Sequence, residues 1–218
     1  MDLTPPAARI VGALVEKQLT TPQQYPLTLN ALLAACNQTS SRNPVTSYDE
    51  RLVDTTLAGL KSRGLVRFVH PSHGRSVTRY RQVLEEVLDL QTAELALVAV
   101  LLLRGPQTLA ELRTRTERMA DFADPRQVEE TLEGLAARDE ALVARLGREP
   151  GRREERWVQL LAPDDSEAPS YERPERPSLG DHPTVPTAPS LSSQVAVLQA
   201  EVAALRRDLD ELIARLGS

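Results

Sequence analysis

The residues best suited to chemistry in this 218-residue sequence are cationic. Arg75, Arg79 and Arg81 lie in the run GRSVTRYR. If that run is a strand, its period of two sets all three on one face. Arg67 falls on the run that would pair with it. Arg42 stands just ahead of a helical segment, and Lys61 and Arg63 close that segment. Seven such cations suit the phosphates of double-stranded DNA, where contacts to the backbone fix position without reading sequence. The helical segment itself opens with Asp49, Glu50 and Asp54, which favour a helix N-terminus through its dipole and oppose a phosphate. Holding a backbone is therefore expected more than reading bases.

Other chemistry finds little footing. His70-Pro-Ser-His73 is closely spaced, but it sits in a turn with no accompanying carboxylate or thiol, so no metal is expected there. Cys36 follows Ala34 and Ala35 with no basic cluster nearby to lower its pKa, which points to a small buried side chain. There is no Gly-rich phosphate loop and no acid/base pair tied to a cleft. A non-enzymatic protein without cofactor is expected.

Charge localises the anionic partner. The net charge of −5 divides unevenly: residues 1–82 hold ten Lys/Arg against five Asp/Glu, 83–161 eleven against sixteen, and 162–218 five against ten. Only the first third is basic. With aromatics at 3%, Leu, Val and Ala must fill the core, which favours helices. No apolar run reaches the roughly 18 residues of a membrane span. A single cysteine excludes an internal disulfide, and the N-terminus lacks a signal pattern. A cytoplasmic protein with no membrane partner is expected.

These residues need elements to position them. The spacing predicts helices over 7–19, 28–36 and 48–63, the second capped by Thr28 and the third stopped at Gly64. LVRFV and SVTRYR around PSHG read as a β-hairpin. Three helices followed by a hairpin is the winged-helix order. The order then recurs: a helix over 91–103, a second opening at Thr108 with Glu111 in a capping box, a third over 125–138, and a hairpin from ALVARL and ERWVQLL. At an offset of 75, Val53, Leu57, Gly59, Leu60 and Arg63 match Val128, Leu132, Gly134, Leu135 and Arg138. At 77, Arg75, Arg79 and Tyr80 meet Arg152, Arg156 and Trp157. This is an internal repeat. The second wing interleaves Arg148, Arg152, Arg153 and Arg156 with Glu149, Glu154 and Glu155, which favours local pairing over DNA.

Residues 162–190 carry seven of the sixteen prolines and almost nothing apolar, the composition of a disordered linker. Beyond it, Leu191, Val195, Leu198, Val202, Leu205, Leu209, Leu212 and Leu216 keep a 4,3 spacing. Valine-rich a positions with leucine at every d favour a parallel two-stranded coiled coil, hence a homodimer. An amphipathic helix folding back on its own chain is the alternative.

The stretches EKQLTTPQQYPLTLNALLAACNQ (16–38) with Arg42, Pro44 and Val45, LLLRGPQTLAELRTRTERM (101–119) with Phe122, and LGREPGRREERW (146–157) resemble the YceH-like family of uncharacterised bacterial proteins. The resemblance spans roughly residues 7–161. It implies tandem winged-helix domains and no established activity. Thr39 stands where family members often have Lys, which removes a phosphate contact. The linker and heptad tail lie outside the resemblance.

The expected fold is mainly α with small β-hairpins (α+β). It comprises winged-helix domains over 1–82 and 83–161, a disordered linker over 162–190 and a coiled-coil helix over 191–217. The first domain is expected to bind DNA, as in a transcriptional regulator. The competing expectation is a protein-interaction scaffold that binds none.

Overall fold

A computed structural model describes residues 1–70, 77–147 and 154–162. Arg75, His73, Arg148, Arg152, Arg153, most of the linker and the whole heptad segment lie outside the described residues. The chain is α+β, with seven α-helices and two small antiparallel sheets among the described residues.

The helices begin where the sequence supplies caps. Helix α1 (Pro5–Thr20) carries two prolines at its first positions, and the Thr4 side chain accepts from the Ala7 amide. Helix α2 (Leu29–Asn37) is capped by Thr28 and α3 (Glu50–Ser62) by Asp49. After α3 the chain turns at Gly64, which takes the left-handed φ of 70° that a side chain would strain. Two strands follow, β2 (Val66–Val69) and β3 (Arg79–Gln82). The two-residue strand β1 (Leu27–Thr28) pairs with β3, giving the order β1-β3-β2, a third strand that the sequence did not announce.

A short helix α4 (Leu84–Leu88), also unannounced, leads into the second half. There α5 (Thr92–Arg104), α6 (Leu109–Thr116) and α7 (Pro125–Ala136) precede the hairpin β4 (Val143–Leu146) and β5 (Arg156–Gln159). The expected capping box of Thr108 and Glu111 is present. Trp157 exchanges both backbone hydrogen bonds with Gln107 (3.0 and 2.7 Å), as Tyr80 pairs with Leu27 in the first half. The repeat therefore extends to the strand that opens each second helix.

The matched positions are core. Val53, Leu57 and Leu60 of α3 are buried, as are Val128, Leu132 and Leu135 of α7. Tyr80 and Trp157 are also buried. Helix α5 is buried from Leu95 to Leu103, as befits a helix apolar on all sides. It packs against α1 so closely that a Cβ on Gly12 would lie 3.0 Å from Leu103 Cγ and 3.2 Å from Leu102 Cβ. One continuous hydrophobic cluster thus runs through both halves. No helix among the described residues is long and apolar enough to cross a membrane.

Candidate nucleic-acid interface

The β2–β3 hairpin has two faces. Val66, Tyr80 and Gln82 are buried, and Phe68 meets Tyr80 edge-on at 4.8 Å between ring centres. The other face carries Arg67, Val69, Arg79 and Arg81. The register sets Arg67 directly opposite Arg81. Two cations so placed repel, and a single carboxylate answers both. Glu86 of α4 lies 2.7 Å from Arg67 Nη2 and 2.9 Å from Arg81 Nη2. Lys61, at the end of α3, holds its ammonium 4.4 Å over the Phe68 ring centre.

Two of the expected phosphate ligands serve the fold, and the repeat shows it. Arg63 donates to the carbonyl of Asp2, just ahead of α1 (2.9 Å). Its counterpart Arg138 donates to the carbonyls of Leu88 and Asp89, just ahead of α5 (2.6 and 3.2 Å). Arg79 donates to Pro26 (2.8 Å), and its counterpart Arg156 to Pro106 (3.0 Å). Each arginine clasps the backbone that leads into an element of its own half. Arg79 remains exposed while doing so.

Arg42 departs furthest from the expectation. Its side chain has no exposed area, and it forms a bidentate pair with Glu16 at 2.7 and 3.0 Å. It also donates to the carbonyls of Ala35 (2.8 and 3.0 Å) and Ser41 (2.8 Å). A guanidinium with every face engaged inside the protein does not reach a phosphate. Burial pushes the Glu16 carboxyl up, but hydrogen bonds and charge from Arg42, with help from Lys17, outweigh it and hold the group below its ordinary value. Beside this pair Arg9 is also buried and donates to the carbonyl of Pro44 (2.6 Å). Cys36 is fully buried, and loss of water pushes its thiol up to about 12, consistent with the packing role expected for it.

The outer side of α3 is open to solvent. Arg51, Leu52, Asp54, Thr55, Ala58 and Lys61 are exposed, and a Cβ on Gly59 would meet nothing within 4 Å. In the second half the corresponding surface is acidic. Arg145 of β4 lies over the Trp157 ring (4.9 Å) and pairs with Glu129 (2.9 Å), Glu133 (3.3 Å) and Glu155 (2.9 Å). This arginine forms one wall of a cavity of about 480 Å³ also lined by Thr108, Arg113, Pro125 and Trp157. His70 approaches the hydroxyl of Thr78 (3.4 Å). No group of three potential metal ligands occurs among the described residues.

The architecture is thus that of an α+β protein built from two related halves, each of three helices and a hairpin. Residues 3–152 match the family described as "Protein of unknown function, DUF480". A "UPF0502 protein" of Pelobacter propionicus is 47% identical over 97% of this chain and 96% of its own length. The "UPF0502 protein YceH" of Escherichia fergusonii is 42% identical, and that of Salmonella newport 43%, each over 99% of this chain and 98% of its own. The chain belongs to this YceH-like family, whose function is uncharacterised.

Proposed function

We propose that the chain is a non-enzymatic tandem winged-helix protein that binds duplex DNA through its first half, holding the backbone with the hairpin. One observation carries the reading. Arg67 and Arg81 stand directly opposite each other on an exposed sheet face, where like charges cost stability and any polar pair would fold as well. Such a placement is explained by an anionic ligand with more than one charge. Glu86 satisfies the two cations in its absence, so binding is conditional on displacing that carboxylate. Arg75 precedes β3 in the sequence, outside the described residues, and Lys61 lies at the hairpin over Phe68. Arg42, Arg63 and Arg79 are left out of the interface because their groups serve the fold.

The test is a salt titration on mixed-sequence duplex DNA. With about four phosphate contacts, log affinity falls against log salt with a slope near −3.6. Arg67→Gln with Arg81→Gln should flatten that slope by about 1.8. Absence of any binding at low salt refutes the reading.

The second reading, a protein-interaction scaffold, is favoured by the second half. There Arg145 is matched by three carboxylates, leaving an acidic α7 face unsuited to DNA. The heptad segment 191–217 is proposed to dimerise the chain as a parallel coiled coil. Sedimentation of the full chain carrying Leu198→Glu and Leu205→Glu tests this: an unchanged mass ends the proposal.

A further inference from the structure

We propose that the outer face of the second hairpin is a docking surface for the protein's own chain, taking the segment that follows Ala162 and seating Tyr171 over Ala144, Leu146 and Val158. The inference concerns the second half alone and does not depend on DNA binding.

The repeat brings the face to light. At the offset of 77 that aligns the hairpins, Arg67, Val69 and Arg81 become Ala144, Leu146 and Val158. The charged face of the first hairpin is thus apolar in the second. All three side chains are buried there, at 8%, 5% and 6% exposure. They form a hydrophobic cluster of their own, apart from the continuous core, and among the described residues the one further apolar side chain packed against them is that of Leu160. The inner face of the same hairpin joins the core through Val143 and Trp157. Alternation along each strand therefore sets the separate cluster on the opposite side of the sheet. Arg156 shares that side, but its guanidinium is drawn to the carbonyl of Pro106 (3.0 Å).

An antiparallel pair commonly packs one face and wets the other. Here Val143 and Ala144 on β4, and Trp157 and Val158 on β5, put apolar groups on both faces, the pattern of strands covered on both sides. Two stretches of the chain adjoin the outer face. The turn over 148–153, REPGRR, offers no apolar side chain except Pro150. The segment after Ala162 begins two residues past Leu160, which already belongs to the cluster. It carries Tyr171, the only Phe, Tyr or Trp that follows Trp157 in the sequence.

Length permits the return. Nine residues separate Ala162 from Tyr171, an extended reach of about 30 Å, against about 14 Å for a four-residue strand. One tyrosine ring matches a patch of three small aliphatic side chains, and its hydroxyl can stay at the edge in water. The heptad segment suits the patch less well. As a helix, 191–217 runs about 40 Å, so most of its seam would find no cover on so short a hairpin. The two hairpins are thereby put to different uses: the first leaves its outer face open, and the second gives its own to the chain that follows.

The experiment digests the full-length protein with a protease that cuts after glutamate, at Glu167 and Glu172 on either side of Tyr171, and follows binding of the apolar dye ANS in parallel. Native protein should be cut at both bonds about tenfold more slowly than a synthetic peptide of residues 163–178. Tyr171→Ser should abolish that protection and raise ANS fluorescence, while Tyr171→Phe should behave as the parent does. Val158→Ser, on the face itself, should free the same two bonds. Tyr171→Ser decides the matter even if Val158→Ser fails to fold, because it removes nothing from the core. Cleavage of the native parent at the peptide's rate overturns the proposal, as do unchanged rates in Tyr171→Ser. If ANS binding rises with Leu198→Glu and Leu205→Glu but not with Tyr171→Ser, the heptad segment covers the face and the proposal fails. Protection that disappears on dilution assigns the cover to a second copy of the chain, which also overturns it.

Discussion

Replacing Glu86 by Gln removes the carboxylate that Arg67 and Arg81 share while preserving the size of the side chain. Both ion pairs are exposed, with side-chain accessibilities of 57% and 30% on the arginines and 40% on Glu86. Each is therefore worth about 0.5 kcal/mol. Relieving Glu86 of its role leaves Arg67 and Arg81 facing each other across the hairpin, a repulsion of about 0.5 kcal/mol. The fold should lose roughly 1.5 kcal/mol in all, a fall of about 3–6 °C in Tm for a chain of this size. DNA binding should move the other way. Two arginines no longer held by Glu86 should raise affinity about tenfold at 50 mM salt, with the salt slope staying near −3.6 because the same phosphates are contacted. Fluorescence anisotropy of a labelled duplex over about 50–200 mM salt reads both quantities. A variant that is less stable but binds DNA no better would refute the argument that Glu86 competes with phosphate.

Other consequences can be checked on the folded protein. Arg42→Ala strands the Glu16 carboxylate and the Ala35 carbonyl in the interior and should cost about 3–5 kcal/mol in denaturant unfolding. Because the folded-state value of Glu16 lies below its unfolded one, the pair's contribution is whole above about pH 4.5 and drains away as pH falls through the folded value. Glu16→Gln should therefore narrow its stability deficit against the parent on acidification. Gly12→Ala drives a Cβ to 3.0–3.2 Å from Leu103 and Leu102, and should destabilise by about 1–3 kcal/mol. Gly59→Ala and Gly134→Ala enter open space on exposed helix surface and should each stabilise by about 0.5–1 kcal/mol, so thermal melts should rank the three variants with opposite signs. Cys36, buried with its thiol raised to about 12, should resist iodoacetamide at pH 8 until the protein unfolds; prompt labelling of native protein would show that helix α2 opens readily.

What could be read in advance was local. The Thr108–Glu111 capping box lies within one turn, and the Val53, Leu57 and Leu60 stripe repeats every third or fourth residue, so both follow from neighbouring sequence. Arg42 could not be placed that way, because its carboxylate is 26 residues distant and nothing between them marks the pairing. The clasps made by Arg63 and Arg79 end on backbone carbonyls, which carry no signature in any sequence. One clue was available. The repeat returns them as Arg138 and Arg156 in a half with no other preparation for DNA, which is how a residue used by the fold behaves. Strand β1 escaped notice because two residues show no alternation, and α4 because five residues are too few for a helical period.

The described chain also ends where it starts. The amide of Leu3 donates to the carbonyl of Leu161 at 2.7 Å, and Leu3 and Leu161 are both buried in the common core. Topologically the body is close to a closed ring with one cut, and the position of that cut is incidental to its packing. A chain rejoined from Ala162 to Met1 and reopened in the exposed turn before β4 would keep every helix–helix interface described above. The two ends of the body thus meet beside the start of α1.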